Sequence, residues 1–157
     1  MKWIEVLEKW NFTSLKINLK FAEMQFTYTE YDEIAAWEMY VELITRVAVI
    51  ELPEDIGNEK AALESIYSLF SSTRSLLKTY GRKGQSFSKF AVIILNQIIR
   101  PFTTKWHGVT IEGDNLTTQF RRDLSSLRIE LLKFAKALAE MANVEDISSI
   151  NVADAFE

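Results

Sequence analysis

Phe120-Arg121-Arg122-Asp123-Leu124-Ser125-Ser126-Leu127-Arg128-Ile129-Glu130-Leu131-Leu132-Lys133-Phe134-Ala135-Lys136-Ala137-Leu138-Ala139-Glu140-Met141 decides how this chain folds. Phe120, Leu124, Leu127, Leu131, Phe134, Leu138 and Met141 recur at alternating spacings of four and three, an apolar seam held over three heptads. Charged residues fill the positions between them. The pattern predicts one helix of about 28 residues, opening near Asn115 or Thr117, with Asn143 placed to end it in the left-handed region.

A helix that long must lay its apolar stripe on other helices, and the chain upstream supplies three. Glu30 to Ile50 reads as the first, with Thr29 and Asp32 as an approximate capping box and Ile34, Trp37, Val41, Ile44 and Ala48 as its apolar stripe. Pro53 closes it, within an acidic loop from Glu51 to Gly57. Asn58 caps the next, which runs to Tyr80 with Ala62, Ile66, Leu69, Phe70, Thr73, Leu77 and Tyr80 inward and Gly81 as a left-handed stop. The last, Ser86 to about Ile99, is apolar nearly all round and belongs at the centre. Pro101 cannot donate to the Gln97 carbonyl, so that helix must kink or restart there before continuing to Trp106 and stopping at Gly108.

The expected fold is mainly α, a four-helix bundle in a single domain over residues 1–144. Residues 1–28 form an N-terminal extension: a short amphipathic helix through Trp3, Val6, Leu7 and Trp10, then a strand. Leu15, Ile17, Leu19 and Phe21 alternate with polar residues, which favours the strand, although Leu15, Leu19, Ala22 and Phe26 also fit a helix. Residues 145–157 read as a weakly ordered tail.

Composition narrows the function. With no cysteine among 157 residues, disulfides, thiolate zinc sites and cysteine nucleophiles are excluded. Glu5, Glu8 and Lys9 interrupt any apolar leader, and the most apolar run, Phe90 to Ile99, falls far short of the roughly 20 residues a membrane span needs. The expectation is a cytoplasmic protein with no membrane association. The lone histidine and the absence of a Glu-x-x-His pair, a glycine-rich phosphate loop or a serine in a nucleophile elbow make an enzyme the weakest reading. No metal and no cofactor are expected.

Charge is distributed very unevenly. The 47 residues from Ser65 to Ile111 hold no Asp or Glu but carry Arg74, Lys78, Arg82, Lys83, Lys89, Arg100 and Lys105. Against a net charge of −4, that stretch is +7 and the remainder −11. Antiparallel packing of its two helices would gather Arg74, Lys78, Arg82, Lys83 and Lys89 at one end, as a seat for phosphate or a nucleic-acid backbone. Arg100, Lys105, Trp106 and His107 would lie at the other, where cations beside an indole and an imidazole suit stacking on a base or clasping a carboxylate. The plainer alternative leaves the first group solvated and makes Trp106 and Phe102 core, with Arg100 paired to Asp123 or Glu130. The aromatic load, Trp3, Trp10, Phe12 and Tyr28 included, suits either an interface with a protein partner or a second copy, or the closing of one end of the bundle.

Several strings carry a resemblance: Ala36-Trp37-Glu38-Met39-Tyr40-Val41-Glu42, Ser68-Leu69-Phe70 with Thr73-Arg74, Arg100-Pro101-Phe102-Thr103-Thr104-Lys105-Trp106-His107, and Leu138-Ala139-Glu140-Met141-Ala142. From Asp32 through Asp146 the chain resembles an uncharacterised family of small bacterial helical proteins bearing an Arg-Pro-Phe-x-x-Lys-Trp-His motif. The resemblance implies no catalytic residue. It implies an association with bacterial conflict or antiphage defence, in which small helical members serve as accessory subunits. The leading expectation is therefore a non-enzymatic adaptor that binds a protein partner. The alternative is a sensor of a nucleotide or nucleic acid at the basic and aromatic residues around Arg100–His107.

Overall fold

The computed structural model describes residues 1–46 and 58–151 and is mainly helical, with no strand among those residues. In chain order the helices are α1 (Trp3–Lys9), α2 (Leu19–Glu23), α3 (Glu30–Ile44), α4 (Glu59–Tyr80), α5 (Gln85–Ile94), α6 (Arg100–Trp106) and α7 (Gly113–Met141). A π-helical turn, Leu95–Ile99, joins α5 to α6, and a 3-10 turn, Ser148–Asn151, follows α7.

All seven residues of the expected α7 seam are buried. Its end is a Schellman turn: Asn143 sits at φ 59°, its amide bonds to the Glu140 carbonyl at 3.1 Å, and that of Val144 bonds to Ala139 at 2.9 Å. Asn11 (φ 65°) closes α1 the same way, through Asn11 to Glu8 and Phe12 to Leu7. At the start of α4, the Asn58 side chain accepts from the Ala61 amide at 3.0 Å.

Three expectations change. First, the N-terminal strand is absent. Asn18 accepts from the Phe21 amide at 2.8 Å and so starts α2, leaving Leu19 outside and Ala22 inside. Among the described residues, the only β-like pairing is an isolated antiparallel bridge between Lys2 and Gln25. The extended residues before α2 are held instead by Gln97, whose amide group pairs both ways with the Lys16 peptide, at 2.8 and 2.7 Å.

Second, α3 is rotated. Asp32, Ala35, Ala36, Met39, Tyr40 and Leu43 are inward, while Trp37 is 45% exposed and Val41 faces out. The helix lies mainly against α7 and α4, with the small residues Ala35 and Ala36 fully buried on its inward side. It ends at Ile44, with Thr45 as cap. Ala48, Pro53 and the Glu51–Gly57 loop fall outside the described residues.

Third, Gly81 is right-handed (φ −62°, ψ −29°), not left-handed. Space explains the glycine, because a Cβ there would meet the Leu77 carbonyl and stand 3.0 Å from the Ser88 hydroxyl.

Pro101 has the expected effect in an unexpected form. The chain widens by one residue ahead of it, so that the Arg100 amide reaches back to Leu95, and α6 then resumes. Gly108, at φ +70°, follows its end.

Two carboxylates tie α1 and the segment just after α7 to the rest of the structure. Glu140 accepts from Lys9 and, at 2.8 Å, from the Trp10 indole. Asp146 accepts from the Tyr40 hydroxyl at 2.9 Å and the Ser148 amide at 3.0 Å. Burial opposes ionisation of both, but for Glu140 the Lys9 and Trp10 bonds outweigh it and hold the carboxyl below its ordinary 4.5. For Asp146 the Ser148 and Tyr40 bonds do the same against an ordinary 3.8. A depressed carboxyl stabilises the fold above its unfolded pKa and loses that effect as pH falls through the folded value. Thermal midpoints followed by circular dichroism should therefore hold steady on acidification until about pH 4.5 and then decline. Glu140→Gln should lower the midpoint near neutrality and flatten the acid decline. An unchanged acid profile in that variant would count against the assignment.

Candidate functional site

On α4, Tyr67, Phe70 and Arg74 recur at helical spacing; on α6 and its C-cap, Arg100, Thr103, Thr104 and His107 do the same. The two rows meet. Tyr67, Phe70, Arg74, Arg100, Thr103, Thr104 and His107 line one cleft of about 370 Å³.

Its floor is aromatic. The Arg100 guanidinium lies over the Phe70 ring at 4.8 Å, and its Nε donates to the Asn96 side chain at 3.0 Å. Those two contacts fix the plane of the group and leave its terminal nitrogens available. Tyr67 fixes the other wall. Its hydroxyl donates to the Thr103 carbonyl at 3.1 Å and stands 2.9 Å from Nδ1 of His107. A phenol has one proton, so with that proton on Thr103 the imidazole is the donor through Nδ1–H. Nε2 remains unengaged, and in the doubly protonated ring it too donates. The cleft thus offers two guanidiniums and the Thr104 hydroxyl as donors, suited to a phosphate or carboxylate, with the imidazole adding a donor in its doubly protonated form.

Helical geometry divides the other expected residues. Trp106 is on the opposite side of α6, 2% exposed, its ring edge-on to Phe120 at 5.2 Å and its indole N–H donating to Asp123 at 3.0 Å. Lys105 pairs with the same carboxylate at 2.6 Å. Neither is turned to the cleft, and Asp123 is not Arg100's partner as the sequence suggested. The buried indole has no face left for a ligand.

The expected Arg74–Lys89 cluster also separates. Arg74 joins Arg100, while Lys78 and Arg82 stand exposed on the far half of α4 and the turn after it. Lys83 covers the Tyr31 ring at 4.9 Å. Lys89 borders a second, mainly apolar hollow of about 500 Å³ with Lys16, Ile17, Phe21, Val92 and Ile93. Sequence reasoning missed Tyr67, Phe70, Thr103 and Thr104 as lining residues. Their signal was present in the spacing with Arg74 and Arg100.

No family model, no curated protein and no solved structure matches this chain. Among the described residues, no helix is long and apolar enough to cross a membrane.

Proposed function

We propose that this protein is a non-enzymatic binding module for a phosphate-bearing ligand, a nucleotide or nucleic acid, held in the cleft between α4 and α6. The observation that carries this reading is the convergence of Arg74, Arg100 and His107 on one cleft built from a stretch without a carboxylate. A phosphate there would meet the Arg74 and Arg100 guanidiniums, with no carboxylate among the lining residues. The scaffold is read as a cytoplasmic four-helix bundle of α3, α4, the α5–α6 pair and α7.

A second reading, an adaptor subunit of a bacterial defence complex, draws support from Trp37 and Val41 on the outer side of α3. Exposed large apolar side chains at helical spacing suit a protein partner.

Titration of the full chain with AMP and with ATP tests the first reading. Arg74→Ala and Arg100→Ala should each weaken binding by about 10-fold or more, the effect of one charge-assisted hydrogen bond. Both side chains are exposed, so the thermal midpoint should hold. Absence of binding to either nucleotide, or binding indifferent to Arg100→Ala, would remove the basis for this assignment.

A further inference from the structure

We infer that the ligand of the cleft is a single-stranded nucleic acid whose backbone leaves the cleft along the exposed side of α4, over Arg74, Lys78 and Arg82; this rests on the cleft being a phosphate site. Arg74 and Lys78 are one turn apart and exposed. Because Gly81 keeps right-handed helical angles, the chain carries Arg82 onward in the same four-residue rhythm. At a rise of 1.5 Å per residue, the three cations step away from the cleft by about 6 Å each. That ridge suits successive phosphates of an extended strand.

The surroundings favour the same occupant. Ser71 and Ser75 are exposed beside the ridge and add hydroxyl donors. Of the α3 carboxylates beside α4, Glu42 is paired with Arg46 at 2.9 Å, while Glu38 accepts from the Tyr80 hydroxyl at 2.7 Å and keeps its charge. The cleft supplies flat surfaces, the exposed His107 ring and the Arg100 guanidinium on Phe70, on which an unpaired base can stack. An acidic peptide would use the cations but not these planes. A duplex keeps its bases inside the helix and has none to place in a cleft of this size.

Fluorescence anisotropy of the full chain with labelled oligo-dT and oligo-rU of about 12 nucleotides, with AMP as competitor, tests the inference. Both oligomers should bind more tightly than AMP, with a log–log salt slope near −3 for about four neutralised phosphates. A difference between dT and rU would show which sugar the cleft prefers. Lys78→Ala with Arg82→Ala should weaken oligomer binding about 10-fold and reduce the slope by roughly 1.4, leaving AMP affinity unchanged. Arg100→Ala should weaken both ligands. Should AMP bind while the oligomers bind no tighter, or the double variant leave them unaffected, the strand is overturned and the cleft reading survives. Should neither AMP nor oligomer bind, both readings fall. Equal affinity for an oligoglutamate of matching charge would also overturn the strand and assign the ridge to an acidic protein.

Discussion

Replacing Asp32 with alanine should lower the unfolding free energy by about 3 kcal/mol, because two helix N-termini lose one buried acceptor. The carboxylate is 1% exposed. One oxygen accepts from the Thr29 amide at 2.7 Å and its hydroxyl at 3.2 Å, capping α3; the other accepts from the Phe87 amide at 2.8 Å, in the first turn of α5. Residue 84 is glycine, so α5 has no side-chain cap of its own. A Cβ there would stand 3.1 Å from the Asp32 oxygen, closer than it comfortably packs. The aspartate therefore caps α5 from 55 positions away in sequence. Alanine orphans the buried Phe87 N–H, a loss of about 1–3 kcal/mol, and removes the part-buried bonds that cap α3 at Thr29. In a domain of this size that lowers the thermal midpoint by roughly 6–12 °C. Asparagine should fall between, since its carbonyl can still serve Phe87 while its NH₂ opposes the Thr29 N–H. Urea unfolding with an unchanged m-value reads the difference. A loss under about 1 kcal/mol for the alanine variant would mean the two N-termini are satisfied without Asp32.

That cap also marks where sequence reasoning stops. Capping Asn58, the turn at Asn143 and the α7 seam were legible because each depends on residues within one turn of one another. The outward rotation of α3 was not. Ile34, Trp37, Val41 and Ile44 make as good a stripe as Ala35, Met39, Tyr40 and Leu43, and periodicity cannot choose between two apolar sides of one helix. Packing chose the side with the small residues. In the N-terminal segment, alternation at Leu15 and Ile17 predicted a strand that is not there: the Lys16 peptide pairs with the Gln97 side chain rather than with another strand. The cleft that holds Arg74 and Arg100 is lined wholly by residues of the acid-free stretch. The subdivision of that stretch depended on which side of α4 and α6 each cation occupies, and on how the π turn before Pro101 sets the rotation of α6.

The two sides of α6 lead to the second large effect. Trp106→Ala should destabilise the protein by about 4 kcal/mol, the usual consequence of truncating a fully buried large aromatic. Beyond the cavity against Phe120, it deprives Asp123 of the indole donor and leaves that carboxylate to Lys105 alone. His107→Ala, one residue on, should change stability by less than about 1 kcal/mol, since an exposed ring and its bond to Tyr67 are all that is lost. The order reverses for ligand affinity. His107→Ala should weaken AMP binding, whereas Trp106→Phe, which keeps most of the buried ring, should leave it intact at temperatures where the variant is folded. Paired thermal melts and AMP titrations of these variants separate the two roles. If Trp106→Phe lost AMP affinity while remaining folded, the indole would have to reach the ligand and the division of α6 into a core side and a binding side would fail. With that division, adjacent residues of one compact motif serve different ends: Trp106 holds α6 on α7, and that attachment fixes Arg100 and His107 against α4.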